Sequence, residues 1–408
     1  MKKTFFLILS FIVVIILFPA QLMAQPVVSA EAAILMDLGS GQILYQKNKD
    51  KLMYPASTTK IMTTLIAIKK GNLNDLVKVS RQACLTDGSS VGLQEGEVIR
   101  LEDLLYTVML ASDNQGAMAV AEHIGGSVEN FARLMNDEAK AMGAVNTHFA
   151  NPHGLHDPNH YTTAGDLAII AREAMKNSVF RKYAGSYDYH FKRNMPRPVN
   201  GIPQEDFVNL NRLLWEGYAY GYKGATGVKT GYTDEARRCL VSSAQRDGRE
   251  LLAVVMKTEN LGIYTDSITL LDYGFNQFKQ VNLAQQGAEA GRVKVQNGVI
   301  GEIGAVTAGA FGYSLPVSDQ AGVQSKLNLY PNLEAPLKKG QRVGSLSFIK
   351  DGKEIGSVGL VADRDVDRQP FFRWWYGAVI IGLLYIYASA RVRARRRRYY
   401  LERRRRYY

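Results

Sequence analysis

Ser57 and Lys60 stand three positions apart in Ser57-Thr58-Thr59-Lys60, and that spacing poses a definite chemical question. A serine hydroxyl at its ordinary pKa is a weak nucleophile and needs a base beside it. On a helix, residues i and i+3 share a face, so a lysine at this spacing reaches the hydroxyl. Lysine is a base only when neutral, and burial together with a nearby second cation lowers its pKa. Lys229, in Lys229-Thr230-Gly231, is the candidate for that cation, and Ser112-Asp113-Asn114 lies between the two motifs. These residue types suit acyl transfer from a peptide-like substrate. Ser112 would relay a proton to a leaving amine, Asn114 would hydrogen-bond an amide, and Lys229 with Thr230 would hold a carboxylate. Gly231 would let an acyl chain lie close along a strand, as an added β-strand. A helix that starts at Ser57 also aims free backbone N–H groups at developing negative charge. Ser-x-x-Lys alone is a weak signal, since a second copy, Ser347–Lys350, falls in a strand-like stretch. The weight comes from all three motifs in this order.

The elements that must position these residues are legible from periodicity. Ala32–Asp37 and Gln42–Tyr45 flank Leu38-Gly39-Ser40-Gly41 and predict a hairpin. Ile61, Met62, Leu65, Ile66 and Ile68 predict a buried helix over Ser57–Lys69. Leu101–Leu110, Gln115–Ile124 and Val128–Met142 read as successive helices, with Gly125-Gly126 and Gly143 as stops; Thr163-Ala164-Gly165-Asp166 opens another with a capping-box-like start. From Val228 the pattern turns to strands, with Cys239–Ala244 and Leu251–Met256 around an Asp247-Gly248 hairpin signal, and Thr265–Phe278 returns to helix. The expected class is α+β, an antiparallel sheet with helices over residues 25–278, followed by a small all-β domain at 279–368.

Length and charge bound the function. A chain of 408 residues with 46% hydrophobic content can bury a large core and suggests two domains. Its formal charge of +12 sits at the ends: residues 391–408 hold ten arginines against Glu402, and Lys2 and Lys3 add to it. The nearly neutral body argues against nucleic acid as a partner. Lys2-Lys3, the apolar Phe5–Phe18 stretch, Pro19 and Leu22-Met23-Ala24 read as a signal peptide over residues 1–24, cleaved after Ala24. Trp374–Ala390 is a 17-residue uncharged run preceded by Phe371 and Phe372, which predicts a transmembrane helix over 371–390. With aromatic residues on one side and the arginine-rich tail, 391–408, on the other, the positive-inside rule places the tail in the cytoplasm and residues 25–370 outside. Cys84 and Cys239 read as two buried thiols rather than a bridge, for neither sits in a pairing pattern.

The trio of motifs resembles that of class A β-lactamases and penicillin-binding proteins. The resemblance is to the low-molecular-mass penicillin-binding proteins that are serine D-Ala-D-Ala carboxypeptidases, and it covers nearly everything from Ala32 to Val366. Asn151-Pro152-His153-Gly154-Leu155, Thr163–Ala168, Lys229-Thr230-Gly231-Tyr232-Thr233 and Leu270-Leu271-Asp272-Tyr273-Gly274-Phe275 carry it beyond the trio. The family resemblance implies Ser57 as acyl-enzyme nucleophile, Lys60 as base, and an oxyanion hole from the N–H groups of Ser57 and Tyr232. It implies a penicillin-binding-protein-like fold with the β domain as a pedestal, peptidoglycan peptide stems as substrate and β-lactams as covalent inhibitors, with no cofactor or metal. The apolar run and the charge rule together place the chain at the cell membrane, with the catalytic domain on the extracytoplasmic side. In one respect the chain departs from the pattern. Members often carry an arginine just before the Leu-Leu-Asp-Tyr-Gly-Phe segment that helps hold the substrate's terminal carboxylate. Here Lys257–Thr269 contains none, and Ile263 stands near where it would fall.

Other classes fit less well. A class A β-lactamase needs a glutamate to activate the deacylating water, and the Glu-x-x-x-Asn match after Ser112, Glu173–Asn177, lies in a predicted amphipathic helix. A long-lived penicilloyl adduct is therefore expected. His153, His156 and His160 have superficially metal-like spacing, but Pro152, Gly154 and Pro158 put them in a loop with no His-Glu-x-x-His helix. A wall-binding protein with a decayed site would not need all three motifs intact. D,D-endopeptidase action on cross-links passes through the same acyl-enzyme and stands as the alternative activity.

Overall fold

A computed structural model describes residues 25–191, 193, 198–199, 202–203, 205–319, 322–370 and 373–406. The predicted signal peptide and Phe371–Phe372 lie outside the described residues. The chain divides into two compact units: residues up to 281 with 312–320, and residues 282–311 with those from 321 on.

The first unit is built on a five-stranded antiparallel sheet of β1 (Ala32–Asp37), β2 (Ile43–Lys47), β3 (Ala225–Thr233), β4 (Arg237–Arg246) and β5 (Arg249–Thr258), in the order β2-β1-β5-β4-β3. Every residue of β1 is buried, which is why its sequence shows no apolar–polar alternation. Ala32, Ile34 and Met36 enter one apolar cluster while Ala33 and Leu35 enter another; Leu252, Val254, Met256 and Leu251, Ala253, Val255 of β5 divide the same way. Successive side chains of a strand point to opposite faces, so this partition means the sheet is covered on both sides.

The first cluster belongs to α1 (Lys60–Lys70), α2 (Leu101–Tyr106), α3 (Asn114–Gly125), α4 (Val128–Met142), α5 (Ala164–Met175) and α6 (Ser178–Gly185). Lys60–Ala67 of α1 are buried on all sides, the pattern of a core helix. Left-handed Gly126 and Gly143 end α3 and α4, and Thr163 Oγ1 caps α5 by accepting from Asp166 N at 3.0 Å. The other face is covered by α7 (Gly262–Gln277), where Gly274 allows close approach: a Cβ there would lie 2.5 Å from Leu251 Cδ1. Asp247 and Gly248, at φ 50° and 77°, make the tight turn between β4 and β5.

The second unit holds β6 (Glu289–Gln296), β7 (Glu302–Thr307), β8 (Gln324–Leu329), β9 (Leu333–Glu334), β10 (Arg342–Lys350) and β11 (Lys353–Ala362) in one sheet, ordered β8-β10-β11-β7-β6-β9. Val293, Val295, Ile303, Val343 and Leu360 are among its core. The second Ser-x-x-Lys copy lies in β10, where residues three apart are about 10 Å from each other and cannot form a pair. Residues 312–320 group with the first unit, because Ser314 exchanges hydrogen bonds with Gln42, both at 2.8 Å, and donates to Asp37 Oδ2 at 3.0 Å.

The chain closes on α8 (Arg373–Arg405), 33 residues long, within which Trp375–Arg405 is long and apolar enough to cross a membrane. The helix runs on through the arginines rather than stopping at Ala390, as the helix-forming Ala, Arg and Leu of that stretch favour. Of the two thiols expected to be buried, Cys239 on β4 is, but Cys84 is half-buried. The short Arg81–Cys84 helix buries Ala83 in the core, and Cys84 packs against the edge of that same cluster.

Candidate active site

Ser57 sits in a 3-10 turn, Ala56–Thr59, that runs straight into α1. The entry is forced: Ala56 has φ 49°, in the left-handed region that costs an L-residue roughly 1–2 kcal/mol. Local hydrogen bonds hold it, from Thr58 Oγ1 to Pro55 O at 2.6 Å and from Thr59 Oγ1 to Ala56 O at 2.8 Å. The turn keeps Lys60 on the side of Ser57, with Nζ 3.0 Å from Ser57 Oγ.

Lys60 is 0% exposed, and its Nζ also donates to Asn114 Oδ1 at 2.7 Å and to His153 O at 2.8 Å. Burial, then the Lys229 ammonium, push its pKa well below the ordinary lysine value, against a smaller opposing pull from Asp113. The two carbonyl acceptors match the two N–H groups of a neutral amine, which leaves its lone pair for the Ser57 hydroxyl proton.

The second motif bends the chain over this pair. A widened turn, Thr107–Ala111, follows α2 and delivers Ser112 at φ 61°, ψ 33°, after which Asp113 caps α3 by accepting from Gln115 N at 3.1 Å. Asp113 is fully buried; burial raises its carboxyl pKa, while hydrogen bonds that include Thr107 Oγ1 at 3.0 Å oppose that rise. The Asn114 carboxamide is engaged at both ends. Its Oδ1 is engaged by Lys60 and its Nδ2 donates to Asp87 O at 2.6 Å, so the carboxamide serves to orient the lysine.

The third motif lies on β3, at the edge of the sheet. Lys229 is 1% exposed, and burial lowers its pKa to about 7; Nζ donates to Thr230 O at 3.2 Å. Gly231 packs closely against the serine turn. A Cβ there would lie 3.0 Å from Ser57 N and 3.1 Å from Pro55 O and Thr58 N, so the glycine lets the strand close on the serine turn.

The loop after α4 completes the support. Gly154, at φ 89°, passes so near that a Cβ would fall 1.9 Å from Ala56 O. His160 Nδ1 accepts from Ala150 N at 3.1 Å, so Nε2 carries the proton and donates to Thr59 Oγ1 at 2.8 Å. Burial lowers the pKa of both His153 and His160 to about 3, which keeps them neutral. His156 packs edge-on against Tyr54, with ring centroids 4.6 Å apart. The three histidines thus face different partners, and among the described residues no three His, Cys, Asp or Glu side chains converge as a metal site.

A cleft of about 290 Å³ opens over Ser57, lined also by Ser112, Thr230, Gly231 and Tyr232. Lys60, Asn114 and Lys229 are buried. Sequence reasoning missed the other walls, Ser89, Leu210, Arg212, Trp215, Arg238 and Tyr264. Only the clustering of Arg212 with Trp215, and of Arg238 just past Tyr232, could have signalled them.

The fold is that of the penicillin-binding proteins. Penicillin-binding protein 5 from Haemophilus influenzae superposes with a TM-score of 0.72 at 32% identity, covering 85% of this chain and 99% of that one. Residues 20–260 match the family model described as D-alanyl-D-alanine carboxypeptidase, and residues 278–368 match that of the penicillin-binding protein 5 C-terminal domain. The chain is 34% identical over 355 residues to the D-alanyl-D-alanine carboxypeptidase DacF of Bacillus subtilis (strain 168), covering 84% of this chain and 87% of that one. It is 35% identical over 370 residues to DacC, a carboxypeptidase of the same description from Escherichia coli (strain K12), covering 87% and 89%. This chain belongs to the D-alanyl-D-alanine carboxypeptidase family.

Proposed function

We propose that the chain performs the carboxypeptidase reaction of its family with Ser57 as nucleophile and Lys60 as general base. The observation that carries this reading is the Lys60 amine, fully buried, 3.0 Å from Ser57 Oγ and bonded to two fixed carbonyl acceptors. Lys60 takes the Ser57 proton as Oγ attacks the carbonyl of the penultimate D-Ala. The N–H groups of Ser57 and Tyr232 receive the oxyanion, and Tyr232 suits this role because β3 is an edge strand with N–H groups outside the ladder. The proton passes through Ser112 to the leaving nitrogen, the terminal D-Ala departs, and water then hydrolyses the Ser57 ester. Thr230 and the buried charge of Lys229 favour the substrate carboxylate, Gly231 sets the strand against the serine, and the free Nδ2 hydrogen of Asn114 meets the substrate amide.

The substrate is the peptide stem of peptidoglycan, and β-lactams acylate Ser57. Residues 25–278 form the catalytic domain and 279–368 the pedestal. Secretion by residues 1–24 and anchoring by α8 place the catalytic domain on the extracytoplasmic side, with the Arg391–Arg406 stretch against anionic headgroups. Mass spectrometry of isolated muropeptides treated with residues 25–370 tests the reading. Loss of one D-Ala from pentapeptides is expected, together with a fluorescent penicillin adduct that maps to Ser57 and vanishes in Ser57→Ala. Cleavage of cross-links alone, or an adduct elsewhere, overturns it.

A further inference from the structure

Arg193 and Glu97 form the most deeply buried ion pair among the described residues, their side chains 1% and 0% exposed. The contact is a fork, with Nε donating to Oε1 at 3.0 Å and Nη2 to Oε2 at 2.8 Å. Arg193 directs its other bonds at one short stretch, from Nη1 to Val91 O at 3.0 Å and from Nη2 to Gly92 O at 2.9 Å. Glu97 also accepts from Gln94 N at 3.0 Å. The two residues are 96 positions apart. Arg193 enters from beside the short ladder of Asp188–His190 with Asp206–Val208, its Cζ 5.6 Å from the buried Phe191 ring. The acyl-transfer steps use neither charge. A buried pair of this kind adds little net stability, because the desolvation of both groups offsets their attraction. What a rigid fork with fixed acceptors supplies is position.

The stretch that Arg193 holds has little else to fix it, since residues 85–97 contain no helix or strand. Yet they carry the groups that set the second motif. Asp87 O accepts from Asn114 Nδ2 at 2.6 Å, and Ser89 O accepts from Asn114 N at 2.8 Å. Leu93 N donates to Gln115 Oε1 at 2.9 Å, and the Val91 backbone hydrogen-bonds the Asp113 carboxylate. Val91 is thus held by Arg193 through its oxygen and holds Asp113 through its nitrogen. Asn114 Oδ1 in turn receives the Lys60 amine at 2.7 Å. Hydrogen bonds and a few residues of backbone therefore connect Arg193 to the amine beside Ser57.

We propose that Arg193, braced by Glu97, is a positioning residue for acylation: it pins Val91 and Gly92, and so keeps the Asp87 and Ser89 carbonyls on Asn114 and Asn114 on Lys60. The proposal rests on Lys60 being the base for Ser57. Without the fork the loop lifts and water reaches the amine, whose burial is the first cause of its lowered pKa. The groups facing Lys60 are the Lys229 ammonium, the Asp113 carboxyl and the neutral rings of His153 and His160. Loss of the Val91 bond raises the Asp113 pKa and weakens its pull on Lys60, an effect of opposite sign. Asp113 is the smallest of the causes acting on Lys60, so the net change favours the protonated amine.

The test follows penicillin acylation against pH by stopped-flow, beside a thermal melt, on the full chain in detergent. Arg193→Met combined with Glu97→Leu removes both charges at once, so no ion is left buried alone and the melt should stay near that of the wild type. Acylation at pH 7 should fall about tenfold, with the acid limb of the profile moved up by about one pH unit and the rates converging at high pH. Arg193→Lys keeps a cation beside Glu97 but cannot fork to the carboxylate and both carbonyls, and its acid limb should fall between the two. A folded double variant with the wild-type rate and limb overturns the proposal. So does a rate lowered equally at every pH, the mark of a structural role alone. If the double variant does not fold, an unmoved limb in Arg193→Lys overturns it just as well. Failure of the underlying mechanism looks different: Ser57→Ala would then still form the penicillin adduct.

Discussion

His160 Nε2 donates to Thr59 Oγ1 at 2.8 Å, while its Nδ1 is held by Ala150 N at 3.1 Å. One neutral ring thus ties the loop that supplies the His153 carbonyl to the turn that carries Ser57. His160→Ala should slow acylation by up to about 100-fold through misplacement of Ser57, with KM nearly unchanged because the ring does not reach the cleft. With His153 and His160 neutral down to about pH 3, neither should put an inflection near pH 6.5 in the wild-type rate profile, and EDTA should leave activity intact. A limb at pH 6.5 that disappears in His160→Ala would refute the assignment.

Asn114 Oδ1 sits 2.7 Å from the Lys60 amine and is uncharged. Asn114→Asp keeps the shape and adds a negative charge, which favours the protonated lysine and raises its pKa. At neutral pH acylation should fall, and activity should recover as pH rises. The pH dependence of penicillin acylation by stopped-flow measures this; an unmoved acid limb contradicts it.

Gly231→Ala would bring a Cβ within 3.1 Å of three backbone atoms of the serine turn. Backbone cannot step aside as a flexible side chain can, so β3 must move outward. The expected result is a loss of about two orders of magnitude in acylation with cooperative unfolding retained, since an edge strand can shift without opening the core. Acylation kinetics beside a thermal melt separate the two.

Lys229 is buried with its pKa lowered to about 7, so in this fold the charge is a burden on stability. Between about pH 7 and the ordinary lysine value of 10.5 the unfolded chain binds the proton that the folded chain lacks, and stability rises with pH across that window. Below about pH 7 the cost of the buried charge is present in full. Lys229→Met should raise stability at pH 6 by roughly 1–4 kcal/mol, flatten part of the rise toward pH 10, and abolish acylation. Urea unfolding at pH 6 and pH 9 checks the sign; a destabilised variant at pH 6 disproves it.

What the sequence made legible was local. Ser57 and Lys60 meet because one turn of helix brings i and i+3 together, and the helices at Val128–Met142 and Ala164–Met175 announce themselves by period and cap. The reading failed where contacts are long-range. Nothing near Gly154 says that its missing Cβ makes room for Ala56, nor does the neighbourhood of Asn114 say that its oxygen faces Lys60. The direction in which Gly231 points depends on the register of β3 with β4, and strand register against a distant turn is not written in either segment alone. That Arg212 and Arg238 share one wall was hidden for the same reason, since they stand 26 positions apart and both line the cleft.

The strand order of the first sheet governs when the serine becomes dangerous to its surroundings. Ala32 of β1 is bonded opposite Met256 of β5, and Lys229 reaches its place only when β3 has docked on β4. A nascent chain therefore displays Ser57 and Lys60 long before the second lysine arrives. Without that docking Lys60 lacks the Lys229 charge, the second cause after burial of its lowered pKa. The molecule is a latch that arms last: any product cut short before β5 carries an intact Ser-x-x-Lys motif and an inert hydroxyl.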